Sequence, residues 1–200
     1  MSRFFTSDTH FGHARIIELC GRPFKDVSHM NETLIHNWNN VVGEDDTVYH
    51  LGDVALGAWV DWDKSLSRLN GHKILVVGNH DRLFQVKEAQ RERWIAEYGK
   101  WFVAIAPAQR GIRLADGTVV NLSHFPYDGD SHGDDRFASE RLSDDGTILV
   151  HGHTHSNSVL SQSRLGTPQV HVGADAHDFT PVSEDQVIGY IEMFKNGVQV

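Results

Sequence analysis

Thr147-Ile148-Leu149-Val150-His151-Gly152-His153-Thr154-His155 sets the reading of the whole chain. Its first five residues are an apolar run of strand length. Its last four break that strand with a glycine and present two imidazoles. The same grammar recurs outward from it. Residues 3–7 are followed by Asp8-Thr9-His10, residues 47–51 by Gly52-Asp53, residues 73–77 by Gly78-Asn79-His80-Asp81, and residues 119–123 by His124. Each run ends in a side chain that binds hard or borderline cations, and open sheets carry their sites at the carboxyl ends of strands.

The spacing adds content. In Asp8-x-His10 and His153-x-His155 the two polar side chains are two residues apart, so an extended chain would point both the same way. Glycines before Asp53, Asn79 and His153 let the backbone turn sharply and approach closely. Taken singly, each motif reads equally well as a solvated loop or a turn. Together, in this order, they predict a dinuclear metal site. The donors are carboxylate, imidazole and amide. The single cysteine, Cys20, excludes both a disulfide framework and a thiolate-rich zinc site.

Between the early strands lie helical patterns. Ser28 reads as the N-cap of a helix with Met30, Leu34, Trp38 and Val41 on one face and Gly43 beyond its end. A second helix starts after Asp61, with Trp62, Leu66 and Leu69 in phase. A third covers residues 85–98. Asp116-Gly117 signals a hairpin, and Ser183-Glu184-Asp185-Gln186 a capping box, although residues 187–193 could equally form an edge strand. With no repeat or linker in view, one domain over residues 1–200 is expected: an α/β sandwich of two sheets with helices outside.

Composition narrows the partners. Acidic residues number 27 against 18 basic, a formal charge of −9, and no basic cluster interrupts it. Long nucleic acids, held by clustered Lys and Arg, are therefore disfavoured. No apolar run approaches the about 18–20 residues that span a bilayer. The N-terminus turns polar too early for a signal peptide, so a cytoplasmic location with no membrane partner is expected. Trp59, Trp94 and Trp101 either pack in the core or offer a homodimer face.

The ordered set Asp8-x-His10, Gly52-Asp53, Gly78-Asn79-His80-Asp81, His124 and Gly152-His153-x-His155 resembles the calcineurin-like metallophosphoesterase superfamily. Residues 7–13, Arg22-Pro23-Phe24, Trp38-Asn39 and Val172-Gly173-Ala174-Asp175 are similar to small stand-alone members from bacteria and phages, among them a mycobacteriophage cyclic-nucleotide phosphodiesterase. The resemblance implies a four-layer αββα sandwich of two mixed β-sheets flanked by helices. It also implies two divalent ions, one held by Asp8, His10 and His155 and the other by Asn79, His124 and His153, with Asp53 bridging. Manganese is the preferred ion, and iron, zinc, nickel or cobalt also suit these ligands.

On that footing the expected reaction is phosphoester hydrolysis by a hydroxide bridging the ions. His80 is the expected general acid, and Asp81 its orienting partner. His13 and Arg22 are candidates to face the substrate phosphate. A small or cyclic nucleotide diester, 2′,3′-cyclic above all, is the expected substrate. A phosphomonoesterase or an inactive metal-binding scaffold are the alternatives. His50 and His151 read as core histidines, while His171 and His177 read as residues rimming the site. Residues 128–135 resemble a calcium loop only superficially, because Ser139 stands where glutamate is needed. They read as a solvated loop, with His132 on a lid.

Overall fold

Apolar alternation in short runs gives two five-stranded sheets. The computed structural model describes residues 1–130 and 135–197, so that residues 131–134, His132 among them, lie outside the described residues. In the first sheet β1 (Arg3–Thr6), β2 (Thr47–His50), β3 (His72–Val76) and β4 (Phe102–Ala106) run parallel, and β10 (Val182–Ser183) lies antiparallel against β1. The second sheet has the order β5 (Gln109–Arg113), β6 (Val119–Leu122), β7 (Ile148–His151), β9 (Pro168–His171), β8 (Leu160–Gln162). Its three central strands are parallel and its edges antiparallel. These are the two mixed sheets of the expected fold.

Consecutive residues of β1 show how the layers form. Phe4 joins Val48, Leu75 and Phe102 in a core under the helices, while Phe5 joins Val76, Val120, Val150 and Val170 in a core with strands from both sheets. Helices α1 (Ala14–Leu19), α2 (Val27–Val41), α3 (Trp59–Leu66) and α4 (Glu88–Tyr98) all contribute to the first core, through Ile16, Met30, Trp38, Trp62, Leu66 and Tyr98. Helix α5 (Glu184–Lys195) contributes Val187 and Ile191 to the second. Each such side chain stabilises the fold by about 1.5–3 kcal/mol on burial.

Helix boundaries shift from expectation for local reasons. Helix α2 is capped by Asp26, whose carboxylate accepts the His29 N–H at 2.7 Å and also complements the helix dipole, so Ser28 falls inside the first turn. Helix α3 starts at Trp59, before Asp61, and α4 starts at Glu88 rather than at residue 85. The six residues of α1 are too few to show a period. Ser183 and Gln186 form the full capping box, and Val187 and Ile191 bury one face, which makes this segment a helix and not an edge strand. Trp59 packs against Trp62, Trp94 and Trp101 with ring centroids 4.5, 5.0 and 5.2 Å away, so packing within one chain accounts for these tryptophans. No described helix is long and apolar enough to cross a membrane.

Candidate metal centre

The residues that follow β1, β2, β3, β6 and β7 meet where the two sheets touch. Ser7 forms an isolated bridge with Gly173, beyond β9, and its Oγ donates to the Leu51 carbonyl at 2.9 Å. Backbones come close enough here that side chains are excluded. A Cβ at Gly152 would lie 2.0 Å from Ser7 Oγ and 2.5 Å from Asp8 Oδ2, and one at Gly78 would lie 2.4 Å from Asp53 Oδ1.

The polar residues are not presented by extended chain, as their spacing suggests. Asp8, His10, Asp53, His153 and His155 all adopt left-handed backbone, with φ of 57°, 51°, 55°, 70° and 50°. Such a conformation costs a non-glycine residue about 1–3 kcal/mol, and it persists only where surrounding structure enforces it. Here it curls both Asp-Thr-His and His-Thr-His tightly enough for each to turn its two outer side chains inward.

Among the described residues three clusters could hold an ion; one, Cys20, His155 and Asp175, lies to the side, and the other two share Asp8. Asp8, His10 and His155 bring one ligand atom each to within 4.8 Å of one another, and so do Asp8, Asp53 and His124. Between the groups sits Asp53 Oδ2, 3.6 Å from His10 Nε2 on one side and 3.6 Å from His124 Nε2 on the other. His124 Nε2 also lies 2.9 Å from Asn79 Oδ1 and 3.2 Å from His153 Nδ1.

Those short contacts cannot all be ordinary hydrogen bonds. His124 Nδ1 must carry the proton, because its partner at 2.7 Å is the Leu51 carbonyl, which only accepts. Burial holds the ring neutral by pushing its pKa down. Nε2 therefore offers a lone pair to an amide oxygen and a carboxylate. Lone pairs converging in this way form a pocket that a cation satisfies. Asp8 Oδ1 and both nitrogens of His10 are buried without any hydrogen-bond partner among the described residues, which fits the same conclusion. The donor set matches a pair of divalent ions.

Electrostatics agree. Burial and then the Asp8 charge push the Asp53 carboxyl well above its ordinary range, while burial pushes His10 well below. Burial also works against the Asp8 carboxylate, yet His155, His124 and His10 together hold it well below its ordinary value. Divalent cations reverse the penalty on each buried anion and favour neutral imidazole.

The surrounding residues differ more from expectation. Arg22 does not face a phosphate. Its guanidinium is buried, donating to both oxygens of Asp175 at 2.8 and 2.9 Å and to the carbonyls of Thr9 and Asp8 at 3.1 and 2.7 Å. Asp81 does not face the His80 ring. Its carboxylate accepts the backbone N–H groups of Gly78, Asp53 and Val54 at 2.7, 3.1 and 3.1 Å. Burial, followed by the Asp53 charge, pushes it up to about 7.

His80 and His13 do lie on the open side. The His80 side chain is 46 % exposed, with Nε2 4.0 Å from Asp53 Oδ2. Both rings lie 5.4 Å from that of His10, and burial lowers the pKa of each.

Two carboxylates escaped sequence reading. Asp175 Oδ2 accepts Nδ1 of His155 at 2.8 Å. Burial opposes charge on His155, but Asp175, Cys20 and Asp8 raise its pKa to about 11. Asp130 Oδ1 lies 3.0 Å from His153 Nε2 and is joined by Arg136. Both make the carboxylate–histidine pairing that orients metal ligands. Asp175 carries a signal, since it too follows a strand and a glycine. Asp130 sits in the loop read as solvated, and only tertiary structure brings it to His153. His171 does not rim the site but is buried beneath it, and His177 donates from Nε2 to the His171 carbonyl at 2.8 Å.

Two mixed sheets with adjoining carboxylate and imidazole clusters at their strand ends define a dinuclear metal protein. A family model described as calcineurin-like phosphoesterase matches residues 1–157, and the chain belongs to that family. Metal-dependent phosphoester hydrolysis is the activity the family carries, and it depends on a dinuclear metal centre.

The chain is 41 % identical over 182 residues to the Gene 66 protein of Mycobacterium phage L5, covering 86 % of each. It is 33 % identical over 200 residues to an uncharacterized protein of Methanocaldococcus jannaschii, covering 96 % of this chain and 92 % of that one. Among solved structures it is similar to a protein of unknown function from Aquifex aeolicus, with a TM-score of 0.67 and 25 % identity over 94 % of this chain and 98 % of the other.

Proposed function

We propose that this chain is a phosphodiesterase acting on small or cyclic nucleotides, 2′,3′-cyclic ones above all, with manganese as its preferred metal. One relationship carries the reading: Asp53 Oδ2 stands 3.6 Å from an imidazole of each donor group, as a bridging ligand must. Asp8, His10 and His155 would hold one ion, and Asn79, His124 and His153 the other. When bound, two such ions supply an activated water and offset charge on the phosphoryl oxygens.

The remaining roles belong to the chain's own residues. His80 Nε2, exposed and beside Asp53, is placed to give a proton to the departing alkoxide. The His80 backbone N–H donates to Asp53 Oδ1 at 2.7 Å, which fixes the acid's backbone to the proposed bridging ligand. His13, half-buried with its ring 5.4 Å from that of His10, is placed to meet the substrate on the open side. Asp81 positions the backbone around Asp53.

Charge supports a diester. The candidate phosphate-binding guanidinium, Arg22, is fully engaged with Asp175 and backbone carbonyls, so the rim offers imidazoles in its place. A diester carries one negative charge where a monoester carries nearly two, and it needs less compensation. The overall charge of −9 also disfavours long polyanions.

The test is a panel: manganese-loaded protein on aryl monoester and diester, then on 2′,3′- and 3′,5′-cyclic nucleotides. Turnover led by diesters and by the 2′,3′-cyclic substrate is expected. A preference for the monoester would overturn the substrate assignment and leave the metal chemistry standing.

A further inference from the structure

Behind the dinuclear centre, His151 and His171 lie side by side. They are register partners on β7 and β9, both buried, with ring centroids 5.3 Å apart and planes tilted by 46°. They stand against a chamber of about 220 Å³ whose lining includes the polar side chains of Asp128, Ser156, Ser158 and Gln169. Neither ring is satisfied within the protein. Among the described residues, His151 Nε2 and both nitrogens of His171 are buried with no hydrogen-bond partner. Unmet polar atoms in an interior cost about 1–3 kcal/mol each, so a cluster of them calls for a ligand.

The tautomer of His151 narrows the choice. Its Nδ1 lies 2.9 Å from the Gly152 carbonyl and must donate to it, which leaves an unprotonated Nε2. This is the arrangement of His124, whose Nδ1–H is held by the Leu51 carbonyl at 2.7 Å and whose Nε2 faces the metal centre. A backbone carbonyl on one nitrogen is a common way to aim the other at a metal.

Spacing allows a shared ion without singling it out, since His10 also lies 5.4 Å from His13 and from His80, rings not assigned to its ion. The ring centroids of His10 and His155, assigned to one ion, are 5.2 Å apart, and those of His124 and His153, assigned to the other, 5.0 Å. The 5.3 Å of His151 and His171 falls beside them.

We propose that His151 and His171 together hold a third metal ion, of the borderline class that imidazole prefers (zinc, nickel or copper), with the chamber supplying water as its remaining ligands. This ion clips β7 to β9 immediately behind His153, and its role is structural. The assignment is independent of the substrate reading, because it rests on residues outside the dinuclear set.

Full-length protein dialysed against micromolar zinc and analysed for metal content should carry three ions per chain. Anomalous diffraction at the zinc edge should place the third within bonding distance of His151 Nε2 and one His171 nitrogen. His171→Asn should drop the content to two while the pair at Asp53 stays occupied. Two ions in both proteins, with no anomalous peak between these rings, would overturn the proposal. Should His171→Asn not fold, the wild-type anomalous map decides alone. Loss of the peaks at Asp53 is a different result, and it would count against the dinuclear reading instead.

Discussion

Asp81 Oδ2 accepts the backbone N–H of Asp53 at 3.1 Å, so the carboxylate expected to serve His80 holds the loop of the proposed bridging ligand. Its other bonds, to Gly78 and Val54, tie the ends of β2 and β3 together. Asp81→Asn preserves shape but turns an acceptor into a donor facing N–H groups. Metal affinity should fall about 10–100-fold, as for other groups that orient ligands. Calorimetric titration with manganese checks this. Unchanged affinity with a displaced pH–rate profile would return Asp81 to the side of His80.

Arg22 should matter for stability rather than for substrate affinity. Arg22→Met removes the guanidinium from the buried Asp175 carboxylate, leaving it only His155, at a cost of up to about 3–5 kcal/mol. Denaturant unfolding should show that loss, with KM unmoved in whatever fraction stays folded. Intact stability together with a tenfold higher KM would place the guanidinium at the phosphate after all.

His80→Asn should leave metal content intact and lower kcat by about 10²–10⁴-fold on substrates with an alkoxide leaving group. An aryl ester, whose phenolate leaves without help, should lose far less. Equal losses on both would remove the general-acid role.

A buried neutral histidine links the fold to pH. His50 lies 2.9 Å from Thr9 Oγ1, and burial depresses its pKa to about 3. The unfolded chain takes up that proton near 6.5. Between those values the unfolded state binds more protons, so stability falls as pH drops through the window, by about 1.4 kcal/mol per pH unit for this group. Metal-free wild type should therefore lose stability on acidification faster than His50→Gln. Parallel curves would contradict the assignment.

The strands were legible because they rest on local pattern, apolar runs of four or five residues, and the candidate ligands stood out because each closes such a run. Helix α1 was not, since six residues hold no period, and the cap of α2 went to Asp26 because a carboxylate at that position outcompetes a serine inside the turn. The geometry of Asp8-x-His10 was misjudged for a different reason. Spacing of two implies a shared face only in extended chain, and tertiary contacts at Gly152 and Gly78 force left-handed backbone instead. Arg22 and Asp81 were recognised as important but given the wrong neighbours. Arg22 meets Asp175 across 153 positions of sequence, a distance over which no local pattern reports.

The most direct test of the dinuclear phosphoesterase reading is turnover followed against metal stoichiometry. Metal-stripped protein would be titrated with manganese while hydrolysis of an aryl phosphodiester is recorded, for wild type and for Asp53→Asn. Activity should be absent in the stripped protein and should rise to a plateau at two equivalents per chain. Asp53→Asn should stay more than about 100-fold below it, beyond the loss expected of an outer-shell change. Folded wild type that binds two equivalents and turns over neither diester nor monoester would contradict the account.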